Sequence, residues 1–390
     1  MSTFIDIHVL QTVPSSNINR DDTGSPKSAI FGGVRRARVS SQAWKRATRK
    51  DFATYLDATQ RGVRTRRVMA DLVDQITALD TTLSKDTALD LAKQVMAAAS
   101  KIAFEAPPKK SKKADAATDA DNSTEEGLLS KYLLFLSNQQ IARLAELALT
   151  GRDGAIDKKA AKQALKDGNG IEVALFGRMI ADDPVYNVDA GVQVAHAIST
   201  HAVETEYDYY TAVDDAQPGE DSGAGMIGVV EFNSSTLYRY ATINLDQLEA
   251  NIGDPKVTAE AVEAFVRSFV MSMPTGKQNT FANTTLPDAV IAQVRTRRPV
   301  NLVGAFEDPI VSKPGVSLSL QSVDALAQKA LEVDAAFGTA PTKAYVIAAG
   351  SDIAAALDGV GERVGLDELV DQLGQQTAQA LAEQGVGERG

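Results

Sequence analysis

The chain has 390 residues, of which 44% are hydrophobic and 23% charged, a globular rather than disordered or fibrous composition whose length suggests two or three units. It contains no cysteine, which excludes a disulfide framework, a thiolate or iron–sulfur centre and a cysteine nucleophile. No apolar run approaches the ~18 residues of a membrane span, and Met1 to Asp6 carry no basic leader, so a soluble cytoplasmic protein with no membrane partner is expected. The net charge of −11 is unevenly spread: residues 1–67 hold 13 Lys/Arg against 5 Asp/Glu, leaving −19 on the remainder. A basic block in an acidic chain is a footprint for a polyanion, or a face for an acidic partner protein.

Residues 4–10 alternate and predict a first strand. Pro14, Asn17, Asn19, Asp21, Asp22, Gly24 and Pro26 mark a polar loop. Gly32-Gly33 leads into a basic segment over 34–39. Ser40 or Ser41 is placed to cap a helix whose inner face carries Trp44, Thr48, Phe52, Tyr55 and Leu56. A second amphipathic helix is predicted over 68–79 and an alanine-rich one over 87–104. Residues 105–127 combine Pro107-Pro108, a lysine cluster and an acidic stretch with few side chains to bury, and predict a disordered insertion.

Further along, 132–136 predicts a short strand, and Ser137 with Gln140 a capping box opening a helix to Leu149. Segments 171–176 and 192–198 read as buried strands. Over 200–226, Tyr207, Tyr209 and Thr211 alternate with Glu206, Asp208 and Tyr210, a period-two strand. The stretch 217–225 is too polar and Gly-rich to pack, and 229–232 resumes a strand, so this segment predicts a hairpin with aromatic arms and a mobile tip. Thr258 is placed to cap a helix carrying Val262, Phe265, Val266, Phe269, Val270 and Met273. Strands are predicted at 290–294 and 345–349, and a helix in the acidic tail from 366 to 381. Strands and helices mix without a strict βαβ rhythm, which predicts an α+β fold.

Chemistry concentrates near the N-terminus. Lys45 and Arg49, and Arg46 and Lys50, stand at i, i+4 and stack cations on a helix face. Ser40, Ser41 and Gln42 add polar side chains and free N–H groups at a helix start, where phosphates bind. That arrangement suits contacts to a phosphate backbone, which position a nucleic acid without reading its sequence; a solvated helix face is the alternative. Arg35, Arg36 and Arg38 upstream and Arg64, Arg66 and Arg67 downstream extend the basic character. The histidines are His8, His196 and His201; the last two are five apart, wrong for ligation on one helix face, so no metal is expected, and with no G-x-G-x-x-G fingerprint no cofactor is expected either. Lys277, in Pro274-Thr275-Gly276-Lys277-Gln278, lacks phosphate-loop spacing and reads as a further backbone contact or a surface lysine. Asp21-Asp22 could bind a divalent ion for RNA cleavage; capping the turn at Gly24 is the favoured reading.

Several strings in order resemble a known family: Asn19-Arg20-Asp21-Asp22, Ile30-Phe31-Gly32-Gly33, Lys45-Arg46-Ala47, Ala174-Leu175-Phe176-Gly177-Arg178-Met179, Gln193-Val194-Ala195-His196-Ala197, Tyr238-Arg239-Tyr240-Ala241 and Gly276-Lys277-Gln278. From residue 3 to about 285 the chain resembles the Cas-seven family of the RAMP superfamily, the CasC backbone subunits of type I-E Cascade. The resemblance implies an RRM-like (ferredoxin-like) palm from 1–56, 130–199 and 227–360, helical fingers over 57–129 containing the insertion 105–127, a β-hairpin thumb over 200–226, and an acidic C-terminal helix and tail over 361–390. It implies a non-catalytic scaffold, several copies of which stack along one CRISPR RNA while the guide pairs with a target DNA strand. The other partners implied are further copies of the chain and the subunits CasA, CasB, CasD and CasE. Carried over by position, RNA contacts fall on Arg20, Lys27, Ser40, Gln42, Lys45 and Arg49, and wedge residues on Met179, Tyr209, Tyr210 and Thr211. Family members commonly carry Trp-Phe where this chain has Tyr209-Tyr210, and tyrosine retains the flat face that stacking needs. Two enzymatic alternatives are a metal-dependent RNA endonuclease using Asp21 or Asp22, and a crRNA-processing enzyme using His8 as general acid/base.

Overall fold

The computed structural model describes residues 2–106, 128–212 and 226–387. The insertion expected at 105–127 falls, from residue 107 onward, outside the described residues, as does the hairpin tip at 213–225. Two compact units form: Met1–Thr54, Val192–Asp246 and Pro255–Gly390 in one, Tyr55–Gly191 and Gln247–Asp254 in the other. Among the described residues no helix is long and apolar enough to cross a membrane.

The first unit is α+β, built on a ten-stranded sheet. Its main path runs Glu362–Arg363, Lys343–Ala348, Ala289–Thr296, Thr3–Ser16, Met226–Asn244, Ala197–Ser199, Val34–Val39, Ser28–Phe31. Val192–Val194 and Glu206–Ala212 pair with Met226–Asn244 off that path. Thr3–Ser16 is central, in register from Phe4 opposite Asn244 to Val13 opposite Ser235. From Ile5 to Gln11 every residue is buried, because both sheet faces are covered there. On one face Leu10, Tyr238, Tyr240 and Ile291 pack with Phe306 and with Val323, Leu326 and Ala330 of the Leu318–Phe337 helix. Arg295 binds that helix to the sheet, with Nη1 2.7 Å from Asp334 Oδ1 and Nε 3.2 Å from Asp6 Oδ2. On the other face Val13, Val39 and Leu237 receive Trp44 from the Ser41–Asp51 helix.

The second unit buries Leu72, Leu91, Val95, Leu136, Ile141, Leu144 and Leu165 in one core. These come from the helices Val68–Leu79, Lys85–Ala99, Asn138–Thr150 and Lys158–Lys166 and the strand Leu134–Ser137. Residues 130–191, expected with the palm, cluster here, with Leu134, Leu136, Ile141, Leu144, Leu165, Ile180 and Tyr186 in this core. The capping box forms, with Gln140 N donating to Ser137 Oγ at 2.9 Å and Ser137 N to Gln140 Oε1 at 3.1 Å.

Local expectations are corrected in four places. Ile171–Phe176 is a short helix, not a strand; its residues 171–175 are buried all round, which hides any periodicity, and the Glu172 carboxylate accepts the Gly62 N–H. The helix expected to start at Thr258 is Pro255–Met271; proline takes the first turn, where its missing N–H costs nothing. The helix expected over 87–104 is Lys85–Ala99, capped by Ser84. The strand expected over 192–198 is two pieces, Val192–Val194 and Ala197–Ser199, separated at Ala195 and His196.

Candidate nucleic-acid interface

The loop at 17–27 is stitched by its own short polar side chains. Asn17 Nδ2 donates to the Gly24 and Glu231 carbonyls, both at 2.9 Å. Asp21 Oδ1 accepts from Thr23 N (3.0 Å), Thr23 Oγ1 (2.8 Å) and Ser25 N (3.0 Å). The Thr23 hydroxyl foremost, then these backbone N–H groups, hold the Asp21 carboxyl below its usual range. Arg20 pairs with Pro26 in an isolated antiparallel bridge, and Lys27 N donates to Asn19 O at 2.9 Å. Two further bonds fasten the loop outward. Arg38 N donates to Lys27 O at 2.9 Å, and Ser40 N to Asn19 Oδ1 at 2.8 Å. Asn19 thus joins the loop to the start of the Ser41–Asp51 helix.

Ser40 is the N-cap: buried, with its hydroxyl accepting from Ala43 N at 3.3 Å. It starts the helix rather than offering a hydroxyl to solvent, while Gln42 stands exposed in the first turn. The helix buries Trp44 and Thr48, exposes Arg46 and Lys50, and leaves Lys45 and Arg49 half-buried at the boundary. Burial lowers the Lys45 ammonium below its usual value. Trp44 lies 3.8 Å from the guanidinium of Arg239, which is also 4.6 Å from the Phe269 ring and donates to Gln11 Oε1 at 2.6 Å. Burial pulls Arg239 down to about 9, so it remains protonated at neutral pH. The basic helix is seated on a buried cation stacked against the chain's single tryptophan.

Arg36, counted in the sequence with the surface cations, is interior. It donates to the carbonyls of Phe31 (3.2 Å), Ser199 (3.1 Å) and Phe306 (2.8 Å). The tight turn at Gly32 (φ 60°) lies directly on the Glu307 carbonyl, with no room for a Cβ. Arg35 and Arg38 keep surface positions. No motif marks Arg239 or Arg36 as an anchor; the one signal for them is an arginine set among inward-facing positions of a strand.

Lys277 adopts the left-handed region (φ 52°) after Gly276, where a Cβ would stand 2.5 Å from the Ile18 carbonyl oxygen. Its turn therefore rests on the backbone that leads into Asn19. Arg20, Lys27, Ser40, Gln42 and Lys277 are brought around that asparagine. The aromatic hairpin joins the same unit. Tyr209 opposes Val229 and Tyr210 opposes Gly228, so the two tyrosines lie on opposite faces of the strand pair. Tyr209 is 64% exposed; Tyr210 lies across Gly228, whose missing side chain makes room for the ring. Thr211 is exposed on the Tyr209 face.

Met179 belongs to the second unit and is 81% exposed. It follows Arg178, which is buried and donates to the Tyr186 carbonyl (2.9 Å), the Phe135 carbonyl (3.3 Å), Gln140 Oε1 (3.2 Å) and the Leu165 carbonyl (3.3 Å). Val188 pairs with Arg178, and Asn187 Oδ1 accepts from Ile180 N at 2.7 Å.

The two enzymatic candidates occupy other settings. Asp21 is committed to its turn, and among the described residues no group of three or more His, Asp or Glu side chains could hold a metal ion. His8 is fully buried, 2.9 Å from Tyr238 Oη, and burial drives it down to about 3. An RNA strand cannot reach it.

The model of the CT1975-like protein family matches residues 5–372. No curated protein matches the chain. Among solved structures, a chain of a "CRISPR RNA-guided surveillance complex, pre-nicking" is 34% identical, with a TM-score of 0.80 over 96% of this chain and 100% of that one. A chain of a "CRISPR RNA-guided surveillance complex" is 30% identical, with a TM-score of 0.71 over 95% of this chain and 99% of that one.

Proposed function

The chain belongs to the CT1975-like protein family, and on that premise we propose that it is a crRNA-binding backbone subunit of a CRISPR surveillance complex, the CasC subunit of a type I-E Cascade. Likeness along almost the whole chain to chains of two RNA-guided surveillance complexes carries this reading. The surface around Asn19 supports it chemically: exposed or half-buried cations and a helix start form a backbone-gripping face on an acidic protein. In this reading the large sheet and its helices are an RRM-like palm, helices of the second unit form the fingers, and the Glu206–Ala212 hairpin is a thumb. Tyr209 and Tyr210, on opposite faces, serve different neighbours: one stacks on a base, and the other faces an adjoining base or subunit. Met179 is the second wedge. Several copies line one guide, which pairs with a target DNA strand, alongside CasA, CasB, CasD and CasE. The subunit is non-catalytic; the committed Asp21 carboxylate and the buried His8 favour a scaffold.

Co-expression with a CRISPR RNA and the other subunits tests the proposal. The expected product is a multi-copy ribonucleoprotein whose RNA has one uniform length and survives incubation with Mg²⁺ and complementary RNA. An RNA-free monomer contradicts the scaffold. Regularly spaced cuts in the complementary RNA, lost in Asp21→Ala, contradict its non-catalytic character.

A further inference from the structure

Where the sheet breaks between Val192–Val194 and Ala197–Ser199, Ala195 N still donates to Tyr240 O at 2.9 Å, and His196 is exposed. Its ring has a partner from a strand far away in sequence: Arg38 Nη1 lies 3.1 Å from His196 Nδ1. Arginine has donors only, so Nδ1 is the acceptor and the proton of the neutral ring is on Nε2. Lys27 completes the group; its carbonyl accepts the Arg38 N–H, and its charge acts on the same imidazole. Among the described residues, no ion pair joins any of the three to a carboxylate. Arg38 and His196 thus meet from two distant segments, the Lys27 charge acts on the same ring, and none of the three is ion-paired among the described residues, beside the Asn19 bridge to the basic helix. An incoming anion with several acceptor oxygens relieves that arrangement.

We propose that Lys27, Arg38 and His196 form a phosphate-binding subsite for the RNA backbone, and that His196 takes up a proton as the phosphate enters. This rests on the RNA-binding reading above. Protonation at Nδ1 ends its role as acceptor and releases Arg38 Nη1 to turn to the phosphate. The imidazolium then donates from the ring as well. The proton comes from solvent and stays on the ring while RNA is bound. In the free protein burial, then Arg38, then Lys27 hold His196 below its usual range; a phosphate reverses the sign of the charge it faces. The other two histidines are otherwise engaged. His8 is buried, and His201 has Nδ1 2.9 Å from Ala202 O while its Nε2 accepts from Thr236 N at 3.1 Å. Linked proton uptake is therefore assignable to one ring.

The test is binding of a fluorescein-labelled single-stranded RNA of mixed sequence to the full chain, from about pH 8 to about pH 6 at fixed ionic strength. Affinity is expected to rise by up to about tenfold per pH unit as pH falls through the titration of His196. Calorimetry in two buffers of different ionisation enthalpy should read proton uptake on binding. His196→Gln should bind with a flat profile and no uptake. His196→Lys, permanently cationic, should bind tightly across the whole range. Equal pH dependence and equal uptake in wild type and His196→Gln overturn the subsite while leaving RNA binding itself intact. A wild-type chain that fails to bind the RNA at any pH overturns the RNA-binding reading as well.

Discussion

The loop at 19–27 in one unit and the loop at 178–188 in the other are each closed by a single antiparallel bridge, Arg20 with Pro26 and Arg178 with Val188. They turn opposite chemistry outward. The first holds itself with Asn17, Asn19 and Asp21 and exposes Arg20. The second buries Arg178 and exposes the apolar Met179. Two arginines at equivalent places in two closed loops therefore do different work. Arg178 spends four of its five donors on three buried carbonyls and a carboxamide, whereas Arg20 faces solvent. Whether a cation is an anchor or a contact is decided by its partners, not by its charge.

The sharpest way to break this contrast is to exchange each arginine for alanine. Arg178→Ala orphans several buried acceptors and should cost about 3 kcal/mol or more in urea unfolding. Arg20→Ala should leave the unfolding curve unchanged. Equal losses would mean that both arginines are anchors. The glycines give a second, smaller contrast. Gly177 (φ 78°) would place a Cβ 2.9 Å from the Val188 carbonyl oxygen, while Gly24 (φ 93°) has nothing within 4 Å. Gly177→Ala should therefore cost about 2–3 kcal/mol, through conformation and collision together, and Gly24→Ala about 1 kcal/mol through conformation alone. Melting of both variants reads this directly.

Asn19→Ala removes the acceptor for Ser40 N–H and should cost about 1 kcal/mol. It should also weaken RNA binding, because it unfastens the loop from the basic helix; unchanged binding would show that the two elements act separately. Met179→Ala should have the smallest effect on the isolated chain: unchanged melting, and an unchanged salt slope of RNA binding, since an exposed apolar side chain neutralises no phosphate. A lower slope would show that the loop had rearranged.

Much of this was legible where one local rule decides. Ser40 is a cap because an oxygen-bearing side chain precedes an amphipathic run, and Trp44 and Thr48 sit one turn apart on the buried face. The period-two pattern already placed Tyr209 and Tyr210 on opposite faces. Expectation failed where burial is complete: 171–175 are inside a helix with no polar face, so neither period shows. Charge counting failed for Arg36, which belongs to the interior, as does Arg239. In the Val34–Val39 strand successive side chains alternate faces, so Arg35 and Arg36 must point in opposite ways, and that is what separates them. The Arg38–His196 contact spans 158 positions and has no local signature.

The central claim is that the surface around Asn19 grips a phosphate backbone without reading bases. Its most direct test is the salt dependence of RNA binding for the full chain and for Arg20→Ala, Lys27→Ala and Gln42→Ala, each against several RNA sequences. Each lost cation should lower the log–log slope by about 0.7, equally for every sequence, and Gln42→Ala should weaken binding with no change of slope. Slopes that stay constant in the two cation variants, or losses that depend on the RNA sequence, would contradict the account.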